Sequence, residues 1–322
     1  MYNIERPEDE IARKIETPLI FDLQRISLKD DPSKFCVMPK TFIDKGFERI
    51  KNMKVFEDDI WIVTFPKCGT TWAQEMIWMI GNDLDYETSA KTSLDERFPF
   101  LEMSWLGPGI PFDIFEMCQE MPRPRYIKSH LPYFLLPDQL WTVKPKIVYV
   151  VRNAKDAAVS WYHHHVNLHG YQGRMEDFIE AFSKDLVPYS PINEHIIDFW
   201  NMKDEPNILF LFFEDMKKNL DQEVKRAMQF LGKDFSQEQI DKLCQHLSFE
   251  SVRNSKTVNK DEQIKLLMEL GGKKYQPKDG FSFIRKGKVG GYKDELSDEQ
   301  IKLLDNYVNH PGLEKIGFEY KF

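Results

Sequence analysis

The chain has 322 residues, a net charge of −8, 42 % hydrophobic residues and 30 % charged ones. That length holds one large α/β domain or two small ones with a sizeable core. The acidic balance argues against a general nucleic-acid binder, and no apolar run approaches the roughly 20 residues that span a bilayer. Residues 1–13 are charged without an apolar centre, unlike a secretory signal, and four scattered cysteines (Cys36, Cys68, Cys118, Cys244) lack metal-ligand spacing. The expectation is a cytoplasmic protein with reduced thiols, no membrane segment and no metal.

The first informative element is an apolar run at 60–65, which reads as a buried strand. It is followed by Pro66-Lys67-Cys68-Gly69-Thr70-Thr71-Trp72 and then by a helix through residue 80. Strand, tight turn and helix form a phosphate-binding geometry, because the helix N-terminus offers unpaired N–H groups and a partial positive charge. Gly69 lets the backbone approach an anion, Thr70 and Thr71 add hydroxyl donors, and Lys67 adds a full charge. The loop departs from G-x-x-x-x-G-K-[ST]: Thr64 stands where the first glycine belongs, and the lysine precedes Gly69. A plain strand–turn–helix with an exposed lysine would look the same in this segment alone.

The next strand, 125–128, runs into Ser129-His130-Leu131-Pro132 and places Lys128 and His130 on one face at period two. A cation beside an imidazole favours its neutral form, suited to accepting a hydroxyl proton. The strand at 146–151 ends in Arg152. Asn153 caps a helix running through Ser160 to about 166, so Arg152, Asn153 and Ser160 make a second candidate anion site. His163, His164 and His165 cannot converge on one metal ion, since consecutive helix positions point about 100° apart. One of them is expected to line a pocket and the others to lie on the surface. A fourth strand follows at 207–212, then an amphipathic helix from 221 to 231 stopped by Gly232. Capping boxes open helices at Ser236 and Ser297. Between them the stretch 249–291 is irregular, with Gly271, Gly272, Pro277 and Gly280. It leads into a basic, glycine-rich loop, Arg285-Lys286-Gly287-Lys288-Val289-Gly290-Gly291-Tyr292-Lys293, able to form a nest of backbone donors.

Alternating strands and helices imply an α/β fold: a single domain over residues 1–322 with a central parallel sheet flanked by helices and ligand at the carboxyl ends of the strands. Residues 1–30 or so are expected to be a partly flexible extension. No strand-end Asp is available to hold Mg²⁺ as phosphoryl transfer requires. A sulfuryl group, which carries less charge than a terminal phosphoryl group, suits such a loop.

Together these segments resemble the cytosolic sulfotransferase family. Residues 66–72 look like its 5′-phosphosulfate loop, P-K-[ST]-G-T-T-W. Residues 152–160 look like its 3′-phosphate segment, and Arg285-Lys286-Gly287 with Gly290 resembles its R-K-G-x-x-G loop. The resemblance implies a P-loop-like site for 3′-phosphoadenosine-5′-phosphosulfate (PAPS), which leaves adenosine 3′,5′-bisphosphate (PAP), and a small-molecule acceptor. By that resemblance His130 is the base, Lys67 stabilises the bridging oxygen and Lys128 supports the transferring group. Cys68, Gly69, Thr70 and Thr71 belong to the 5′-phosphate loop. Arg152, Ser160, Arg285, Lys286 and Gly287 hold the 3′-phosphate. Trp72 and Phe249 sandwich the adenine, with Phe213 and Leu247 beside it.

Several positions depart from the family pattern. Cys68 replaces Ser or Thr, and its place at a helix N-terminus near lysine suggests an activated, oxidation-sensitive thiol. Phe213 replaces Tyr, Leu247 replaces Thr, and Gly291-Tyr292 replaces Asp-Trp. Arg253, Thr257, Val258 and Glu262 resemble the family's short dimer motif with Arg for Lys, which makes a homodimer plausible. Phe98, Phe100, Met103, His164 and Tyr171 are candidates for the acceptor pocket, their aromatic and thioether character suiting a flat apolar phenol or alcohol. Three further readings stand beside plain sulfuryl transfer: the same chemistry followed by sulfate loss, as in a retinol dehydratase; a P-loop kinase; and a non-catalytic ligand-binding protein.

Overall fold

The computed structural model describes residues 1–107, 112–262, 264 and 280–322; Gly271, Gly272 and Pro277 lie outside the described residues. Four strands form the central parallel sheet: β4 (Ile60–Val63), β5 (Tyr126–Ser129), β6 (Lys146–Val151) and β7 (Ile208–Phe212), in the order β5-β4-β6-β7. The register aligns Ile62 with both Lys128 and Val148. All four carboxyl ends therefore share one edge, and each delivers a residue to the same region: Thr64, His130, Arg152 and Phe213. From β4 the chain first goes to one side and then crosses to the other. The order thus reverses beside β4, where open α/β sheets bind ligands.

Near-continuous apolar strands are what a sheet covered on both faces requires. Trp61, Val63, Ile127, Tyr149 and Val151 enter the core on one face. Ile60, Ile62, Tyr126, Val148 and Val150 enter the core on the other. The helix Thr70–Gly81 buries Ala73, Met76, Ile77 and Ile80 against the second core. The helix Ala154–His169 packs Ala154, Ala157, Ala158 and Trp161 into the first. It is capped by the Asn153 side chain, which accepts from Lys155 N, and ends at Gly170 with φ 77°. It runs three residues beyond the expected end, because Asn167 to His169 continue the helix until glycine turns the chain. Both expected capping boxes, at Ser236 and Ser297, are formed.

Residues 1–39 build a second sheet, antiparallel, of β1 (Tyr2–Glu5), β2 (Leu23–Leu28) and β3 (Phe35–Pro39). It docks through β3, whose Val37 N donates to Ser190 O at 3.2 Å and whose Val37 O accepts from Tyr189 N at 2.8 Å. The connection before β2 passes close to Gly107: a Cβ there would lie 2.5 Å from Leu19 O. This brings Leu19 and Ile20 to the wall of the large cavity at the sheet's carboxyl edge.

Candidate active site

The loop after β4 turns on two residues in left-handed conformation, Lys67 (φ 68°) and Gly69 (φ 98°). Glycine is required at 69 twice over. L-residues rarely adopt that φ, and a Cβ would stand 2.7 Å from Phe213 Cδ2. The Thr64 and Thr70 hydroxyls bond at 2.7 Å, fixing the loop against the first turn of the helix. Lys67 Nζ donates to His164 Nδ1 at 3.2 Å and lies 4.5 Å from the centre of the Phe283 ring. Burial, with the charges of Arg152, Lys260 and Arg285, lowers its pKa to about 7. Cys68 corrects the expectation of an activated thiol. Its side chain turns into the core, 1 % exposed. Burial there outweighs the Arg152 and Lys67 charges and pushes the thiol up to about 12.

His130 follows β5 and is held from three directions. Its backbone N donates to Glu102 Oε1 at 2.6 Å, and its carbonyl accepts from His195 Nε2 at 3.1 Å. Its Nδ1 stands 2.8 Å from Thr64 O. A carbonyl only accepts, so Nδ1 carries the proton and Nε2 keeps its lone pair. Burial first, then the charge of Lys128, holds the imidazole well below its ordinary pKa. Lys128 is itself brought to about 7 by burial and by Lys260. Neutral His130, Lys128 and Lys67 share one cavity.

On the opposite side, Arg152 Nη1 donates to Lys67 O (3.2 Å) and Nη2 to Lys288 O (3.0 Å), with its guanidinium 4.4 Å from the centre of the Phe213 ring. Asp156 receives the N–H groups of Gly290 (2.7 Å) and Tyr292 (3.0 Å), tying the basic loop to the helix that carries Ser160. Gly287, at φ 54°, packs so closely on Phe249 that a Cβ would lie 2.8 Å from the ring. Arg285 and Lys286 both reach Glu295, at 2.6 and 2.8 Å. Against the upward push of burial, these cations and His163 draw the Glu295 carboxyl down to about 2. Trp72 Nε1 donates to Leu247 O at 2.8 Å, and Trp72 meets Phe213 edge-on, 5.7 Å between ring centres.

The cavity has a volume of about 870 Å³. Its wall includes Lys67, Gly69, Thr70, Thr71, Trp72, Lys128, His130, Arg152, Ser160, Phe213, Leu247, Phe249, Arg285, Lys286 and Gly287, together with Phe100, Met103 and His164. Two expected pocket residues are elsewhere. Phe98 is fully buried against Tyr126, 5.4 Å between ring centres, because it faces the core beneath the sheet. Tyr171 packs on Phe178 and donates to Arg174 O at 3.3 Å. Of the three consecutive histidines, His164 lines the cavity and His163 is partly exposed, but His165 is not a surface residue. His165 is buried and donates through Nε2 to Ile15 O at 3.0 Å, and His163 bonds Glu295. Among the described residues no group of three or more His, Cys, Asp or Glu is arranged to hold a metal. Thr257 Oγ1 donates to Ser89 O at 2.7 Å and Val258 is buried, while Arg253 and Glu262 are exposed.

Sequence reasoning missed part of the wall: Leu19, Ile20, Phe112, Met117, Tyr189, Phe283 and Lys260. Leu19 and Ile20 come from far along the chain and carry no local mark. Phe283 could have been noticed two residues before Arg285.

A parallel sheet whose carboxyl edge gathers a phosphate loop, a second cationic site and a buried neutral histidine defines a nucleotide-dependent group-transfer enzyme. The sequence profile of the sulfotransferase domain matches residues 57–317. The chain is 36 % identical over 276 residues to the luciferin sulfotransferase of Photinus pyralis, covering 81 % of this chain and 73 % of that one. It is 36 % identical over 289 residues to sulfotransferase 1E1 of Bos taurus, covering 88 % and 92 %. The crystal structure of retinol dehydratase in complex with retinol and PAP superimposes with a TM-score of 0.85 at 28 % identity, covering 99 % of each chain. The chain belongs to the sulfotransferase family. It is a PAPS-dependent sulfotransferase.

Proposed function

We propose that this enzyme moves the sulfuryl group of PAPS to the hydroxyl of a small apolar alcohol, phenol or steroid, with His130 as the base. The observation that carries this reading is the 2.8 Å contact of His130 Nδ1 with Thr64 O, from which the tautomer follows. With Nδ1–H donated to Thr64 O, the free Nε2 lone pair belongs to a neutral imidazole beside Lys67 and Lys128. His130 Nε2 takes the acceptor's proton as the acceptor oxygen forms its bond to sulfur. The bond from sulfur to the bridging oxygen breaks, its electron pair passing to the 5′-phosphate, where Lys67 meets the developing charge. Lys128 faces the transferring oxygens. The loop amides and hydroxyls at Gly69, Thr70 and Thr71 are assigned to the 5′-phosphate, and Arg152, Ser160, Arg285, Lys286 and Gly287 to the 3′-phosphate. Arg285 and Lys286 would exchange Glu295 for that phosphate. Trp72 and Phe249, with Phe213 and Leu247, are assigned to the adenine.

Aromatic and aliphatic side chains on the acceptor side (Phe100, Met103, Leu19, Ile20) suit an apolar body, and His164 supplies one polar contact. A second reading has a specific observation behind it. The 0.85 TM-score to retinol dehydratase extends over residues outside the family profile, including the N-terminal sheet. On this reading an allylic alcohol is sulfated and then loses sulfate. A cytoplasmic location is part of the proposal. So is one domain over the whole chain and a homodimer through the 253–262 segment, in which Arg253 and Glu262 would make the contact; sedimentation of the R253E variant tests the latter. The base assignment is tested by His130→Ala, which should abolish transfer while leaving PAP affinity within about twofold, the ordinary scatter of a substitution away from the ligand. Near-full activity would overturn it.

A further inference from the structure

Lys260 is given no role by any of the expected motifs, although it stands inside the 253–262 segment, and its side chain lines the same cavity as Lys67, Lys128 and His130. It is largely buried, 12 % exposed at the side chain, and its ammonium is pinned by the Asp95 carboxylate from the short helix Leu94–Arg97. The segment carrying it is anchored on both sides. Leu94 N donates to Thr257 O at 2.8 Å, and Phe283 N donates to Asp261 Oδ1 at 2.6 Å. The Phe283 ring is close to both lysines, its centre 4.5 Å from Lys67 Nζ and 5.8 Å from Lys260 Nζ. Lys260 is also the strongest charge acting on Lys128 and, after Arg152, on Lys67.

Three ammonium groups crowded into one partly dry cavity repel one another. A fold keeps such an arrangement where an anion is to be bound. Among the described residues Asp95 is the hydrogen-bond partner of the Lys260 ammonium, which has three N–H donors. Arg152, Arg285 and Lys286 are assigned to the 3′-phosphate, and the helix N-terminus with Lys67 to the 5′-phosphate. The remaining negative group of the donor is the sulfuryl group, which Lys128 also faces.

We propose that Lys260 is a third cationic catalytic residue, bonding an oxygen of the transferring sulfuryl group, with Asp95 setting its position. The inference rests on the cavity being the PAPS site. Its distinguishing consequence is that Lys260 recognises the sulfuryl group and not the nucleotide. PAP, which lacks that group, separates the two.

The experiment is calorimetric or fluorescence titration of wild type, K260M and K260R with PAP and, without acceptor, with PAPS, alongside steady-state kinetics. A hydrogen bond to a charged group corresponds to about 10–100-fold. K260M is expected to lose about that much in PAPS affinity or kcat, with PAP affinity unchanged and K260R recovering part of the loss. A K260M variant that binds PAPS and turns over like wild type overturns the proposal. So does equal weakening toward PAP and PAPS, the pattern of a latch between the 257–261 segment and the Leu94–Arg97 helix. If wild type binds neither nucleotide, the donor-site reading falls first and this one with it.

Discussion

Gly69→Ala tests how the phosphate loop is held. The methyl group must occupy a backbone at φ 98°, in the left-handed half of conformational space, which costs an L-residue about 1–2 kcal/mol. It must also stand 2.7 Å from Phe213 Cδ2. That ring cannot simply swing away, because it packs edge-on against Trp72 and under the Arg152 guanidinium. Overpacking of this kind adds about 1–3 kcal/mol. The variant should therefore lose about 2–5 kcal/mol in urea unfolding, and PAP affinity should fall because displacing Phe213 disturbs Trp72 and Arg152 together. In an F213L background the ring is gone and the steric part should disappear, leaving about 1–2 kcal/mol for the backbone alone. An undiminished cost in F213L would refute the clash. A cost below about 0.5 kcal/mol in the single variant would refute both parts, since that is the scale of an ordinary surface change.

Lys128→Met should lower turnover and raise stability. A lysine brought from 10.5 to about 7 by folding binds its proton more weakly in the native state than in the unfolded chain. The penalty is complete below about pH 7 and fades as pH rises toward 10.5, so wild-type stability should climb over that window. The variant should gain about 0.5–2 kcal/mol at pH 7 and show a shallower climb in denaturation followed from pH 7 to 9.5. Loss of stability in this variant would contradict the reading of Lys128 as a cation whose charge burial disfavours despite Asp95, Glu102 and the Phe100 ring. Cys68 should resist thiol reagents in the native enzyme with or without PAP, while the half-buried Cys244 reacts first; mass-mapped labelling with Cys68 modified earliest would contradict its burial.

Much of the fold was written locally. The apolar runs at β4, β6 and β7 are buried on both faces, and such strands announce themselves by near-continuous apolar residues, while β5 (Tyr-Ile-Lys-Ser) is buried although half of it is polar. The caps at Asn153, Ser236 and Ser297 are contacts within three residues, which sequence spacing specifies directly. The cationic loops were legible because lysine, arginine and glycine concentrate there in an acidic chain. What sequence could not supply was direction. Cys68 lies in the phosphate loop but points into the core, so its environment is set by packing against residues distant in the chain. The same holds for Phe98 and Tyr171, whose aromatic character fits a pocket and a core equally well. Lys260 and Leu19 reach the cavity only through tertiary docking, on Asp95 and beside Gly107. The N-terminal sheet was hidden because its strands are short and β1 pairs with β2 across a long connection, which leaves little periodic signal.

The central claim is that a sulfuryl group passes from PAPS to a small apolar acceptor under His130 base catalysis. Turnover with PAPS labelled in the sulfuryl group, against phenols, steroids and allylic and aliphatic alcohols, tests it most directly, with product masses recorded for wild type and His130→Ala. The label should move onto at least one acceptor with wild type and onto none with the variant. An allylic acceptor that returns as its dehydrated product plus free labelled sulfate would select the elimination route. Transfer of label to no acceptor, or turnover that requires ATP and Mg²⁺ in place of PAPS, would contradict the account.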